Sequence, residues 1–223
     1  MDAKKIFLEY EGDNYFQRNR DVLANCIGKD VLFYSDFINN LDEAHSNFKI
    51  VEIGAANGRN LNYFKNNNNL EVSGIEPSTD AVNDGNKRLF GGNSVLIKGT
   101  SDSLPYDDES VDIVMFGFSL FWVDRKYLFR SISEADRVLK GGGYLFITDF
   151  DTPLPYKRIN IHNANAYTYK MNYANLFLSN PQYYLIEKKN YSHTSNSFDS
   201  NIQERVSAQI LYKDFVDNVY VFD

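Results

Sequence analysis

The chain has 223 residues, of which 43% are hydrophobic and 24% are charged. These values are typical of one globular domain, and they exclude a disordered chain, a collagen-like repeat and a membrane protein. The net charge of −7 argues against a nucleic-acid or anionic-membrane partner, because an acidic protein has little attraction for phosphate groups.

Two further features predict where the protein works. The single cysteine, Cys26, has no partner for an intramolecular disulfide, which is typical of a reducing compartment. The charged N-terminus lacks the apolar run of a signal peptide, and the longest apolar stretch, 111–123, is too short to cross a bilayer. We therefore expect a cytoplasmic protein.

The hydrophobic pattern predicts alternating helices and strands over the first 150 residues. Apolar positions at helical spacing indicate helices, and short apolar runs indicate buried strands. Gly91-Gly92 and Gly141–Gly143 are expected to end the helices before them, and Asn66–Asn69 to form a turn. The predicted helices span residues 13–26, 36–45, 58–65, 79–90 and 124–139, and the predicted strands span 48–53, 70–75, 95–98, 111–116 and 144–148.

This alternation indicates a fold class. Strands that are apolar almost throughout and alternate with helices favour a parallel sheet covered on both faces. After residue 150 the pattern predicts a helix at 166–178 and then two strands, 183–193 and 202–214, which form an antiparallel hairpin at the sheet edge. We therefore predict a Rossmann-like, doubly wound α/β sheet of seven strands, in a monomer or a homodimer that pairs through this hairpin.

The predicted sheet locates the ligand site before any motif is considered. Ligands of open parallel sheets bind at the carboxyl ends of the strands. The first of these ends carries Gly54 and Gly58 in a G-x-x-x-G turn. This turn lacks the third glycine of a dinucleotide site and the Gly-Lys-Ser/Thr of a P-loop, so both of those sites are disfavoured. Glu76, at the next strand end, is placed to accept hydrogen bonds from ribose hydroxyls, and Asp102 from an exocyclic amine.

Four motifs in this order resemble the class I S-adenosylmethionine-dependent methyltransferases, in particular the methyltransferase type 11 group. They cover about residues 48–150, and each is weak alone, whereas four in order at this spacing are specific. The motifs are E-x-G-x-x-x-G at 52–58, the acidic Glu76, Ser101–Tyr106 followed by Val111–Val114, and the run Glu134–Gly143.

The resemblance implies S-adenosylmethionine as the cofactor, S-adenosylhomocysteine as the product, and a role for each matching residue. The turn from Gly54 through Ala55 to Gly58 would surround the methionine part, with Glu52 near its amino group. Glu76, followed by Pro77, would hold the ribose. The remaining contacts implied are Ser101 and Asp102 to the adenine, Phe116 and Phe118 to the sulfonium side, Tyr15 as part of a lid, and Arg18 to the cofactor carboxylate.

The resemblance also implies a division of the chain into four parts, and the sequence differs from the family pattern at two points. Residues 1–47 would form a helical lid, 48–150 the cofactor core, 151–181 a substrate-specificity insertion and 182–223 the hairpin. Ala56 stands where the family commonly has the middle glycine of its first motif, and its methyl group would crowd the cofactor. Phe121-Trp122 replaces two histidines that many relatives have, which removes a base at that point.

The insertion is basic and aromatic in an acidic protein. Lys157 and Arg158 favour an anionic or carboxylate-bearing substrate, and Tyr156 and Tyr169 offer rings that stack on a sugar. A hydroxyl acceptor needs a base, for which His162 is the first candidate and Asp149 its rival. No cluster of residues has the spacing of a metal site.

These observations lead to one principal hypothesis and one alternative. The principal hypothesis is methyl transfer to a small polar metabolite, with O-methylation of a sugar, sugar nucleotide or glycan precursor favoured. The alternative is a non-catalytic protein of the same fold that binds the cofactor or a protein partner, which Ala56 and the missing base would explain.

Overall fold

A computed structural model describes residues 3–41, 47–195 and 197–220 of the chain. Its helices and strands alternate up to residue 150, and strands dominate beyond it. The elements in chain order are α1 (Ala3–Ile6), a π-helical turn (Phe7–Glu11), α2 (Gly12–Asn25), α3 (Lys29–Asn39), β1 (Lys49–Ile53), α4 (Arg59–Asn68), β2 (Glu71–Glu76), α5 (Thr79–Arg88), β3 (Leu96–Lys98), β4 (Val111–Gly117), a 3₁₀ turn (Leu120–Trp122), α6 (Arg125–Val138), β5 (Leu139–Phe150), β6 (Tyr156–Ile159), β7 (Tyr167–Lys170), α7 (Ala174–Leu178), β8 (Tyr183–Ser192), β9 (Arg205–Lys213) and α8 (Val216–Val219).

Seven strands form one sheet in the order β3-β2-β1-β4-β5-β9-β8. The strands from β3 to β5 pair in parallel, whereas β9 pairs antiparallel with both β5 and β8. The predicted fold class is therefore confirmed: the sheet is mostly parallel with an antiparallel hairpin at one edge. Strands β6 and β7 form a separate hairpin.

The sheet separates two hydrophobic clusters, because successive side chains of a strand point to opposite faces. On β4, Met115 packs in the cluster beneath α3 and α4, and Phe116 packs in the other cluster with α6 and α7. On β1, Ile50 and Val51 divide in the same way. Each fully buried side chain of this size contributes about 1.5–3 kcal/mol to the free energy of unfolding.

Several element boundaries differ from the prediction. Helix α3 spans Lys29–Asn39 rather than 36–45, and the rest of that prediction, including His45, falls on 42–46, outside the described residues. Asn66–Asn69 is not a turn, because α4 continues to Asn68 and only Asn69 adopts the left-handed conformation that ends a helix. Asparagine side chains stabilise this last turn, since Asn67 donates to the Tyr63 carbonyl at 2.9 Å.

Two glycine-rich or aromatic segments also differ. Gly141–Gly143 does not end α6, which stops at Val138; the glycines lie in β5, where the pairing with β4 shifts register. The helix predicted at 166–178 is wrong over its first half, because Tyr167–Lys170 forms β7.

In the described part of the chain, no helix is both long and apolar enough to cross a membrane.

The Phe146→Ala variant tests the cluster beneath α3. Phe146 is fully buried and stacks on the Tyr34 ring at 4.5 Å. We expect a loss of about 3–5 kcal/mol in the free energy of unfolding, measured with urea. Phe129→Ala is the matched control, because Phe129 on α6 is 73% exposed, and a similar loss in that variant would contradict this description of the core.

Candidate functional site

A cavity of about 640 Å³ opens at the carboxyl ends of β1, β2 and β4. The N-terminal helices cover one side of it, and the β6–β7 hairpin and the connection between β8 and β9 form the other. The residues predicted from the sequence that line it are Tyr15, Arg18, Glu52, Gly54, Ala55, Glu76, Pro77, Ser101, Asp102, Phe118, Arg158 and His162.

The turn after β1 depends on glycine at one position that faces the cavity. Gly54 has a φ of 81°, and a Cβ there would lie 2.4 Å from the Ser119 Cβ, so only glycine fits. Gly58 also has positive φ, but a Cβ there would meet the Phe90 ring at 2.8 Å. A side chain at Gly58 would therefore enter the hydrophobic core, and the predicted contact of its backbone with the ligand stays a prediction.

Glu52 is the acidic residue of β1, and it is almost completely buried at the cavity wall. Its Oε1 accepts a hydrogen bond from Asn60 Nδ2 at 2.7 Å. Among the described residues, neither Glu52 Oε2 nor Asn60 Oδ1 has a hydrogen-bond partner. Burial raises the pKa of Glu52 from its usual 4.5 to about 8. Two unpartnered acceptors beside a cavity fit a ligand that brings hydrogen-bond donors, such as an amino group.

Asn60 was missed by the sequence reasoning, although its position offered a signal. It is the second residue of α4, directly after the glycine turn. A polar side chain there faces the end of the neighbouring strand, because the turn folds the start of α4 back over β1. The contact with Glu52 confirms this placement.

Glu76 fixes the relative positions of two strand ends. Its Oε2 accepts a hydrogen bond from the Ala56 backbone N–H at 2.8 Å, and its Oε1 accepts one from the Ser78 N–H at 2.9 Å. Burial raises the pKa of Glu76 to about 7, although both backbone hydrogen bonds lower it. The carboxyl group therefore holds the turn after β1 against the start of α5.

Ala56 itself adopts the left-handed conformation, with a φ of 48°. It packs against a small cluster that includes Phe16 and Leu23 of α2 and Ala81 of α5. The methyl group thus contributes to the contact between the turn and the N-terminal helix. Ala56 therefore has a structural role in this packing, and the presence of alanine instead of glycine does not by itself indicate that ligand binding is lost.

Asp102 is paired with the N-terminal helix. Lys4 Nζ lies 2.7 Å from Asp102 Oδ2, and Thr100 donates to Oδ1 at 2.7 Å. Burial alone would raise the pKa of Asp102, but the hydrogen bonds from Lys4 and Thr100 outweigh it and lower the pKa. Ser101 shares a hydrogen bond of 2.7 Å with Ser131 of α6. Both predicted adenine contacts therefore line the cavity with ordered side chains.

Aromatic rings connect the lid to the sheet. The Trp122 ring lies 5.3 Å from that of Phe7 and 6.3 Å from that of Tyr15, both of the N-terminal helices. Arg18, which was expected to bind the cofactor carboxylate, forms an ion pair with the buried Glu11 of the same lid. Trp122, at a position where many relatives have histidine, therefore provides the surface against which the N-terminal helices pack.

His193 is a cavity residue to which the sequence analysis assigned no role. Its ring lies 5.8 Å from that of Phe118 and 5.3 Å from that of Phe150, and its Nδ1 is 3.9 Å from Glu204 Oε2. Burial lowers the pKa of His193. The two phenylalanines are 43 or more residues away from it along the chain, so no local pattern could have placed His193 beside them.

Phe116 and Asp149 lie beneath the cavity and do not line it. Phe116 is fully buried and contacts Phe177. Its side chain lies on the opposite face of the sheet from that of Met115, which pairs with Glu52. Asp149 is buried as well, and its carboxyl accepts hydrogen bonds from the Phe121 and Phe150 N–H groups. Burial raises the pKa of Asp149 to about 8. Asp149 is therefore not among the residues that line the cavity, and its catalytic role stays a prediction.

Three of the four predicted substrate residues are also outside the cavity lining. Lys157 Nζ lies 3.9 Å from the centre of the Tyr167 ring, and the Tyr169 ring packs on the Arg125 guanidinium at 4.3 Å. Tyr156 is partly buried without contributing to the cavity. Within the described ranges, no three His, Cys, Asp or Glu side chains are grouped as a metal site requires.

Comparison with known proteins supports the resemblance seen in the sequence. The sequence model of the methyltransferase domain family matches residues 51–147, from β1 to β5. The malonyl-[acyl-carrier protein] O-methyltransferase of Methylococcus capsulatus is 36% identical over 75 residues, which are 33% of this chain and 26% of that protein. The ubiquinone/menaquinone biosynthesis C-methyltransferase of Rhizobium etli is 26% identical over 136 residues, 60% of this chain and 52% of that protein. The chain thus spans about a quarter to a half of these curated relatives.

A solved structure extends the likeness of fold over most of the chain. It is the 1,6-didemethyltoxoflavin-N1-methyltransferase of Burkholderia thailandensis, determined with 1,6-didemethyltoxoflavin and S-adenosylhomocysteine bound. The TM-score is 0.66 at 12% identity, and the match covers 91% of this chain and 85% of that chain. At this identity the match establishes the shared fold.

The buried acids of the cavity predict how stability depends on pH. Glu52 and Glu76 keep their protons in the folded chain up to pKa values of about 8 and about 7, whereas both lose them near pH 4.5 when unfolded. Their stabilising contribution is complete below pH 4.5 and is lost as the pH rises to 8. We therefore expect the free energy of unfolding to fall by a few kcal/mol between pH 5 and 8.5, since each pKa unit corresponds to about 1.4 kcal/mol.

The Glu52→Gln variant isolates one of these contributions. Urea unfolding at both pH values should show a smaller decrease in this variant than in the wild type. Glu71→Gln is the control, because Glu71 is exposed at the start of β2 and should leave the decrease unchanged. An equal decrease in the wild type and in Glu52→Gln would contradict the assignment.

Proposed function

Residues 51–147 belong to the methyltransferase domain family, and from this we propose that the chain binds S-adenosylmethionine and methylates a small polar molecule. The observation that carries the proposal is the pair of unpartnered, buried acceptors on Glu52 and Asn60 at the end of β1. The amino group of the cofactor's methionine part supplies the missing donors. When bound, the cofactor supplies a methyl group activated by a sulfonium.

The cavity offers a fitting group for each part of this cofactor. Glu76 lies one strand away from Glu52, and its two oxygens retain lone pairs for ribose hydroxyls beyond the two backbone hydrogen bonds. Asp102 lies after β3, where its carboxylate would accept a hydrogen bond from the adenine amine. Tyr15 and Trp122 cover the cavity from the lid side and exclude water from it.

The acceptor is proposed to be a hydroxyl of a sugar, sugar nucleotide or glycan precursor. Support comes from the acceptor side of the cavity, where the rings of Phe118, Phe121 and Phe150 form an aromatic wall beside polar side chains. Flat aromatic walls with a few placed polar groups are typical of sites for small organic ligands. The relatives named above methylate oxygen, carbon and nitrogen, so the family match leaves this choice to experiment.

His193 is the group best placed to take the proton of such a hydroxyl. Its lowered pKa keeps the imidazole neutral at neutral pH, which is the form that accepts a proton. When the carbon–oxygen bond of the product forms and the methyl–sulfur bond breaks to leave S-adenosylhomocysteine, His193 would take the hydroxyl proton. Glu204, 3.9 Å from the imidazole, would stabilise the resulting charge. His162 also lines the cavity, but it is exposed at the mouth.

Calorimetric titration tests the cofactor. We expect micromolar binding of S-adenosylmethionine and S-adenosylhomocysteine and no binding of NAD. Glu76→Ala should weaken both by about 10- to 100-fold, because hydrogen bonds to charged groups contribute about 1.5–3 kcal/mol. Glu71→Ala, at the exposed end of the same strand, is the control. Full affinity in a folded Glu76→Ala variant would refute the assignment of the ribose site.

The proton acceptor is tested by His193→Gln, with His162→Gln as the matched comparison. Acceptors are screened by release of S-adenosylhomocysteine, starting with sugars and sugar nucleotides. His193→Gln should lower kcat by about 10²–10⁴ and remove the rise in rate between pH 5 and 7, whereas cofactor affinity stays constant. Loss of the pH dependence in His162→Gln alone would reassign the base to His162.

A further inference from the structure

The β6–β7 hairpin forms one wall of the cavity. Arg158 pairs with Thr168 across the hairpin. Asn160, directly after β6, and Lys170 each lie two residues beyond this pair, in opposite directions because the two strands are antiparallel. Arg158, Asn160, Thr168 and Lys170 all line the cavity, whereas Lys157 and Tyr169 do not.

Asn160 holds an unused donor in this wall. The residue is only 4% exposed. Its backbone N–H donates to the Ala166 carbonyl at 2.9 Å, and its Oδ1 accepts from the His162 N–H at 2.8 Å. The Nδ2 group is buried and has no partner among the described residues. An unsatisfied buried amide costs about 1–3 kcal/mol, so a ligand that brings an acceptor is favoured at this point.

Two cations of the hairpin line the cavity together with this amide. Lys170 Nζ donates to the Gln203 carbonyl at 2.6 Å and lies 3.8 Å from the centre of the Phe150 ring. Arg158 makes no ion pair within the described ranges. Burial is the main cause that lowers the pKa of Lys170. Glu204, which also lines the cavity beside His193, raises that pKa, and Arg158 lowers it.

We propose that this wall of the cavity is a subsite for an acidic group of the methyl acceptor, a carboxylate or a phosphate, bound by Arg158 and the Asn160 amide, with Lys170 adding positive charge. The inference rests on the proposed function and narrows its substrate class to small acids. An anionic oxygen accepts from the free Nδ2 and relieves the repulsion between the cations. A neutral acceptor would do neither. Because the chain has a net charge of −7, an anion is attracted to a local cationic site more than to the rest of the protein surface.

The experiment compares acids with matched neutral compounds. Glucuronate and glucose 6-phosphate are titrated against glucose, and benzoate against benzamide, in the presence of S-adenosylhomocysteine, with binding followed by ligand-observed NMR. At least one acid should bind 10-fold or more tightly than its neutral partner. The glucuronate and glucose 6-phosphate arms distinguish a carboxylate from a phosphate.

Variants locate the preference in the hairpin. Arg158→Gln and the nearly isosteric Asn160→Asp should each reduce acid binding by at least 10-fold and leave binding of the neutral compound within 2-fold. Lys157→Gln is the matched control, because it removes one positive charge from the adjacent residue outside the cavity. An equal loss in Lys157→Gln would mean that overall charge, and not the subsite, attracts the acid, and would overturn the proposal.

Two further outcomes are decisive and separate the two hypotheses. If S-adenosylhomocysteine binds the wild type but no acid is preferred over its neutral partner, the subsite is refuted and the proposed function stands. If S-adenosylhomocysteine does not bind, the proposed function fails, whereas a preference for acids that depends on Arg158 and Asn160 still supports an anion subsite.

Discussion

The two hydrogen bonds from the Ala56 and Ser78 backbone N–H groups to the Glu76 carboxyl organise the site. One joins the turn after β1 and the other joins the start of α5. Ser78 then caps α5 through the Ala81 N–H and donates to Asp13 of the lid at 2.6 Å. One buried carboxyl thus couples the sheet, a helix and the lid, so the position of the lid depends on the same residue that is proposed to bind ribose.

The lid contacts follow from this arrangement and from the aromatic residues of the 3₁₀ turn. Trp122 contacts Phe7 and Tyr15, and Lys4 reaches Asp102 at the far end of the cavity. These contacts join parts of the chain about 100 residues apart. Aromatic packing here is worth about 0.5–1.5 kcal/mol for each pair beyond simple burial. These contacts hold the N-terminal helices against the 3₁₀ turn at the edge of the cavity.

The sequence predicted the sheet well, and it also predicted many residues that line the cavity at the ends of β1 and β2, because both depend on local patterns. Apolar strands and glycine turns are visible in a few consecutive residues, and the carboxyl-end rule then places Glu52 and Glu76 together. The end of a strand is harder to place. Phe116 was included with Phe118, but Phe116 is a fully buried residue of β4, whereas Phe118 follows the strand and lines the cavity.

The acceptor half was less predictable for a different physical reason. The alternation of Tyr167-Thr168-Tyr169-Lys170 is a two-residue period that the helical prediction overlooked, and with it the side on which Lys170 lies. His193 contacts Phe118 and Phe150, which the sheet order brings to it, and Glu204, which lies across the β8–β9 connection. The contacts with the two phenylalanines leave no mark on the local sequence, so they have to be found in the structure.

The two halves of the cavity differ in charge, and this difference bears on how they would work together. Buried acids line the half at β1 and β2, where Glu52 remains protonated near neutral pH unless a cation joins it. Basic groups, Arg158 and Lys170, line the other half. A cationic ligand on one side and an anionic ligand on the other would each neutralise the half that binds them. Under the proposed function, a ligand that carries both its charges correctly placed would bind in one orientation, because reversing it would bring like charges together. Lys4 and Arg59 in the first half and Glu204 in the second moderate this preference.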